Sequence, residues 1–221
     1  MLFKIRAVIF DMDGVITDTM PCHFKIWQGL FIREGIPVTH EDIYKREGQK
    51  GIDSVREIFT EYGKPFHASH ARSLLKEKEV LFQKVFKRCF IPGAIDFIRS
   101  VHAKGFKLGL VTGTSRAEAV KLLPADLFEL FHVSVCGCEV RDGKPHPEPY
   151  LMALKKLGIK AKEAVVIENA PFGIRSAKAA GLKCLGLETS LPKSYLNQAD
   201  GIFRSFKDLA SHVQFENSVQ I

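Results

Sequence analysis

The chain has 221 residues, 46% of them hydrophobic and 26% charged, with a formal net charge of +7. This excludes a disordered or fibrous chain and leaves room for a sizeable core, either as one domain or as a domain with an insertion. No window approaches the roughly 18 consecutive apolar residues of a membrane span, and the start, Met1 to Arg6, runs straight into a strand, so a cytoplasmic protein is expected.

In chain order, Ala7-Val8-Ile9-Phe10 is a continuous apolar run of the kind that forms a strand buried on both faces. Asp11-Met12-Asp13-Gly14-Val15 follows at once. Residues i and i+2 of an extended segment point the same way, so Asp11 and Asp13 meet at the carboxyl end of that strand, where open parallel sheets bind ligands. Two clustered carboxylates suit either a divalent hard cation or a nucleophile working beside an acid/base group. The bland reading is a turn that only punctuates the strand.

Phe24, Trp27, Leu30 and Phe31 then recur at helical spacing from His23 onward, until Gly35 and Pro37 stop them. Residues 20–88 read as helix after helix. Ser54-Val55-Arg56-Glu57 has the spacing of a capping box, and Leu74, Leu75, Lys78, Leu81, Phe82, Val85 and Phe86 mark an amphipathic face. After Ile91-Pro92-Gly93, helices alternate with short apolar strands at Lys107–Val111, Val133–Cys136, Ala164–Ile167, Cys184–Leu187 and, more weakly, Gly201–Phe203. The alternation predicts βαβ crossovers and an α/β fold, a doubly wound parallel sheet. The core takes residues 1–17 and 89–221, with an all-helical domain of residues 18–88 inserted beside the two carboxylates. The polar tail after Gln214 is expected to fray.

Three further segments carry candidate chemistry. Val111-Thr112-Gly113-Thr114-Ser115 closes a strand, and Ser115-Arg116-Ala117-Glu118 has capping-box spacing; hydroxyl and backbone N–H groups there can cradle a phosphate, while taken alone the stretch reads as ordinary turn chemistry. Lys144, in Gly143-Lys144-Pro145-His146-Pro147, is held extended by the proline after it and can act as a fixed charge, although a lysine on its own is more often solvent-facing. Glu168-Asn169 follows the apolar run Ala164–Ile167 and sits at another strand end. The five cysteines, Cys22, Cys89, Cys136, Cys138 and Cys184, lack zinc-type spacing and read as reduced, mostly packed thiols. The cations are dispersed and no nucleic-acid module is evident, so an anionic small molecule is the simpler partner.

The Asp11 to Thr19 stretch, Val111 to Ser115, Lys144 and Val165 to Asn169 resemble, in order, the four motifs of the haloacid dehalogenase superfamily of phosphohydrolases. The resemblance runs from about residue 5 to about residue 190. A helical cap inserted after the first motif resembles the subgroup that holds β-phosphoglucomutase and phosphoglycolate phosphatase.

The resemblance implies that Asp11 is a nucleophile, ionised at neutral pH with no activating base. It makes Asp13 the acid/base group, which needs a pKa well above the ordinary carboxylate value to donate a proton. Thr112 and Lys144 are implied as catalytic partners. Mg2+ is implied on Asp11, the carbonyl of Asp13, Glu168 and Asn169, and substrate contacts on Gly14, Thr19, His23, Gly48, Lys50, Gly113, Thr114 and Arg116. Two departures stand out. The commoner pattern has an acid where Asn169 stands, so one negative charge is lost. The cap loop Glu47-Gly48-Gln49-Lys50-Gly51 has no arginine to grip a second phosphate, and a lysine does not reproduce that bidentate fork.

The expected activity is a Mg2+-dependent phosphatase for a small phosphorylated metabolite such as a sugar phosphate, acting through an aspartyl-phosphate. The alternatives are a β-phosphoglucomutase and a catalytically weak phosphate-binding or regulatory protein. A monomer or weak dimer is expected, with no nucleic-acid or membrane partner.

Overall fold

The first apolar run is the central strand of the sheet, as its burial on both faces requires. The computed structural model describes residues 1–217. After the short β1 (Leu2–Ile5), β2 (Ala7–Phe10) pairs in parallel with β3 (Lys107–Val111) on one side and with β5 (Ala164–Glu168) on the other. With β4 (Val133–Val135), β6 (Lys183–Leu187) and β7 (Gly201–Phe203), the order is β4-β3-β2-β5-β6-β7. The winding reverses between β2 and β5. At that switch point the loops leave in opposite directions and open a crevice.

Alternate residues of each central strand feed different cores. Val8, Phe10, Leu108, Leu110, Val165 and Ile167 pack against α5 (Ala94–Ala103), α6 (Arg116–Leu122), α7 (Ala125–Phe128) and α10 (Phe206–His212). Ala7, Ile9, Val111, Ala164 and Val166 pack against α8 (Glu148–Leu157) and α9 (Pro171–Ala179). Each large apolar side chain buried this way stabilises the fold by about 1.5–3 kcal/mol before entropy is counted.

Between β2 and β3 the chain leaves to form α1 (Met20–Arg33), α2 (His40–Tyr44), α3 (Gly51–Glu61) and α4 (Ala68–Val85), which share their own core of Phe24, Phe31, Ile58, Phe59 and Leu74. The outgoing and returning segments pair with each other. Ile91 N–H donates to Ile16 C=O at 2.9 Å, Asp18 N–H donates to Cys89 C=O at 3.0 Å, and Thr17 bridges both Asp13 and Phe90.

Several local expectations are corrected. Helix α1 begins at Met20, with Pro21 in its first turn, not at His23. Ser54 caps nothing: α3 starts at Gly51, and the Ser54 hydroxyl donates to Gln49 Oε1 at 2.8 Å from inside the helix. The box in this region is Thr39 with Asp42, opening α2. Val85 ends α4 at 56% exposed and does not belong to the buried face. Of the thiols, Cys136 and Cys184 are buried, but Cys89 and Cys138 are exposed. The tail does not fray at Gln214: β8 (Gln214–Asn217) pairs in parallel with β1, and residues 218–221 lie outside the described residues. No described helix is long and apolar enough to cross a membrane.

Candidate active site

Strand β2 ends at Phe10, and both carboxylates of the following loop are buried at the switch point, Asp11 at 2% and Asp13 at 7% exposed. They serve separate networks. Asp13 Oδ1 accepts from the Thr19 hydroxyl at 2.5 Å and Oδ2 from the Thr114 hydroxyl at 2.8 Å, while His23 Nε2 stands 3.6 Å from Oδ1. Thr112 lies beside this pair, with its hydroxyl 3.5 Å from Asp13 Oδ2 and accepting from Thr114 N–H at 3.0 Å. His23 stacks on Phe82 and its Nδ1 is buried without a partner.

Asp11 belongs to the other network. Lys144, although 133 residues away in sequence, donates to Asp11 Oδ1 at 2.6 Å, to Glu168 Oε1 at 2.7 Å and to Val111 C=O at 3.2 Å. The Tyr150 hydroxyl donates to Glu168 Oε1 at 3.1 Å, and the N–H groups of Asn169 and Ala170 donate to Oε2 at 2.8 and 3.1 Å. A Cβ on Gly173 would stand 1.6 Å from Glu168 Oε1, so only glycine at that turn of α9 leaves the carboxylate its place. Both oxygens of Glu168 accept bonds from the protein, and through Oε1 it anchors Lys144.

The oxygens left over are Asp11 Oδ2, Asn169 Oδ1 and Glu47 Oε1, all buried and without a partner. Asn169 is held by its amide, which donates to Glu47 Oε2 at 2.7 Å and to Ser190 Oγ at 2.8 Å. An all-oxygen donor set carrying excess negative charge fits a hard divalent cation. A second acidic group, Asp142, His146 and Glu148, lies on the surface, where Glu148 accepts N–H from Arg141 and Asp142 at 2.7 and 2.9 Å and braces a loop.

The surroundings shift the two carboxylates in opposite directions. Burial, opposed by Lys144 and reinforced by Glu168 and Asp13, pushes Asp11 up to about 8, so the carboxyl is not ionised at neutral pH by its ordinary pKa alone. Asp13 moves the other way. Burial would raise it, but the His23, Thr19 and Thr114 groups together hold it well below the carboxylate range. Those donors stabilise its charged form, whereas the expected acid would be protonated. Burial and the neighbouring Lys78 lower His23, with Asp13 opposing.

The cap loop closes over this floor. Gly48 has φ +76, and a Cβ there would stand 2.8 Å from Lys144 Cδ; a Cβ on Gly113 would stand 2.7 Å from Gly48 C=O. Between cap and core lies a cavity of about 330 Å³, lined among others by Asp13, His23, Trp27, Glu47, Lys78 and Thr114. Gly48, Lys50 and Gly113 also line it, but the Lys50 ammonium donates to the carbonyls of Val140 and Arg141 and latches the loop to the core. Arg46 is likewise committed, to Glu57, Glu61 and the Asp42 carbonyl. Arg116 is not among the residues lining the cavity; it donates to Glu139 at 2.7 Å and to Ser134 Oγ at 2.9 Å. Gly14, by contrast, lies under the seam. A Cβ there would stand 2.1 Å from Asn169 Nδ2 and 2.7 Å from Glu47 Oε1.

Sequence reasoning missed Glu47, Tyr150 and Ser190. For Glu47 a signal existed: an acid stands beside a glycine in the cap loop of a chain whose strand-end acid pair is incomplete. Tyr150 and Ser190 are ordinary helix and loop residues in the sequence, and nothing in their spacing points to the site.

Comparison with known proteins accords with this geometry. Residues 5–181 match the family model described as haloacid dehalogenase-like hydrolase. The chain is 34% identical to a phosphorylated carbohydrates phosphatase of Thermotoga maritima, over 81% of this chain and 83% of the relative. It is 32% identical to the mitochondrial (DL)-glycerol-3-phosphatase 1 of Arabidopsis thaliana, over 93% of this chain and 72% of that one. Among solved structures, one from Bacteroides vulgatus, provisionally assigned as a β-phosphoglucomutase, superposes with a TM-score of 0.84 at 33% identity, covering 95% of this chain and 87% of the other.

Proposed function

Because the chain belongs to the haloacid dehalogenase-like hydrolase family, we propose that it is a Mg2+-dependent phosphatase that hydrolyses a small phosphorylated metabolite of the sugar-phosphate class. The observation that carries this reading is Asp11 Oδ2, a buried carboxylate oxygen without a partner, on a side chain held from its other oxygen by Lys144 at 2.6 Å. That is the arrangement of a nucleophile aimed by its neighbours and left free at the reacting atom.

Asp11 attacks phosphorus and the ester oxygen leaves, so an aspartyl-phosphate forms on Oδ2. A proton from Asp13 completes the leaving alcohol, and the ionised Asp13 then takes a proton from the water that hydrolyses the acyl phosphate. The substrate dianion adds negative charge beside Asp13 and raises its pKa towards the value the first step requires. Lys144 offsets charge on Asp11, and the hydroxyls of Thr112 and Thr114 lie where phosphoryl oxygens are received. Asp11, the Asp13 C=O and Asn169 would hold Mg2+, which would supply the positive charge that keeps Asp11 ionised and neutralises the phosphoryl group.

The named relatives that are phosphatases favour hydrolysis. The structural likeness to a provisional β-phosphoglucomutase favours transfer within a sugar bisphosphate. A mutase must grip phosphate at both ends, and two of the cap cations that line the cavity, Arg46 and Lys50, are spent on the protein itself. Hydrolysis is therefore the reading adopted. The test is phosphate release from a panel of sugar and polyol phosphates with Mg2+ and with chelator. Loss of at least about 10³-fold in Asp11→Asn is expected; unchanged release in that variant sinks the reading, and sugar phosphate isomerisation without free phosphate selects the mutase.

A further inference from the structure

The acid absent at position 169 has a counterpart in space. Glu47, on the cap loop after α2, is 6% exposed and reaches across a separation of 122 residues to place Oε2 2.7 Å from Asn169 Nδ2. Its Oε1 has no partner, and neither has Asn169 Oδ1 or Asp11 Oδ2. Glu47 and Asn169 converge on the Cα of Gly14, where a side chain of any size would collide with both.

No described lysine, arginine or histidine pairs with Glu47, because Lys144 is already shared between Asp11 and Glu168. A carboxylate carried into such a place and left without a cation is unfavourable unless a positive charge joins it. Glu47 Oε1 and Asn169 Oδ1 are hard oxygen donors, and Glu47 brings a negative charge that Asn169 lacks.

The geometry points to Glu47 as a cap-borne member of the divalent-cation site: it supplies, from the cap, the negative charge that Asn169 withholds from the core. The inference rests on the Mg2+ reading above and goes beyond it, because it makes cation affinity and cap closure two sides of one equilibrium. Cation binding then favours the closed cap, and by linkage the closed cap binds the cation more tightly.

The test uses the whole protein without substrate. Mg2+ affinity is measured by calorimetry, and cap position is followed by the emission of Trp27, the only tryptophan of the chain, which lines the cavity. Wild-type protein is expected to bind Mg2+ with a change in Trp27 emission. Glu47→Gln, nearly isosteric and able to keep a hydrogen bond to Asn169, is expected to weaken binding about 10-fold or more and to lose the emission change. Adding Asn169→Asp to that variant is expected to restore affinity while leaving Trp27 unresponsive, because the charge is then back in the core and not on the cap. Glu47→Asp, which keeps the charge on a shorter arm, is expected to fall between wild type and Glu47→Gln, and it stands in if the amide variant fails to fold by circular dichroism.

Unchanged Mg2+ affinity in Glu47→Gln overturns the inference and leaves the phosphatase reading intact. Tighter binding overturns it too, and identifies Glu47 as a plug that competes with the cation. Absence of Mg2+ binding by the wild type removes the metal reading and this inference with it.

Discussion

The floor of the site and the seam above it are built on opposite plans. On the floor, Lys144, Glu168 and Tyr150 satisfy one another, and Glu168 accepts bonds on both oxygens. At the seam, Glu47, Asn169 and Asp11 each keep a buried oxygen without a partner. Strands β2, β3 and β5 fix the floor before any ligand arrives. The seam exists only while a loop from another part of the chain is pressed against it. Positioning is finished in the first region and waits for ligands in the second, which is how one site can be both preorganised and accessible.

Removing the floor's cation tests the first half of that contrast. Lys144→Met leaves Asp11 and Glu168 buried beside each other without compensation, and a loss of about 3–5 kcal/mol in unfolding free energy is expected, together with loss of phosphate release. Chemical denaturation reads the first and a phosphate assay the second; near-wild-type stability would show that the floor is not charge-balanced through this residue.

Crowding the seam tests the second half. A Cβ on Gly113 would meet backbone atoms of Gly48 at 2.7 and 2.9 Å, so Gly113→Ala is expected to hold the cap ajar. Phosphate release should fall about 10- to 100-fold while the denaturation midpoint moves little. A matching loss of stability would mean that floor and seam are one unit.

A smaller effect, away from both regions, gives a ruler for the other two. Asp200 accepts from Lys178 at 2.6 Å, Lys183 at 2.8 Å and Cys184 N–H at 2.9 Å, and these donors hold it at about 2 against the burial that would raise it. Its folded value lies below its unfolded value, so the stability it adds is complete above about pH 4 and drains away as pH falls towards 2. Asp200→Asn is expected to lose about 1 kcal/mol at neutral pH, discounted for partial exposure, and to lack that acid slope. Equal slopes for both proteins would remove Asp200 from the account.

Site residues placed by the sheet edge are legible in the sequence, and Glu47, placed by how the cap settles, is not. Asp11, Asp13, Thr112, Glu168 and Asn169 follow or close apolar runs, and parallel-sheet physics sends such residues to one edge. Lys144 was legible through its prolines and its place in the motif order. Glu47 follows no strand, and its partner is chosen by how the cap settles, which no local pattern encodes. Arg116 had the right neighbourhood, but Glu139 and Ser134 offered it better acceptors. The protonation tendency of Asp13 is not legible locally, because it depends on hydroxyls from Thr19 and Thr114 that become its neighbours only on folding. The last strand was hidden for a similar reason: β8 is polar, and its partner β1 lies at the far end of the chain.

The paired segments at residues 16–18 and 89–91 carry a mechanical consequence. Thr17 is bridged at once to Phe90, on the returning segment, and to Asp13, in the catalytic loop. Any rotation of the helical lobe about these segments would reach that loop through backbone hydrogen bonds.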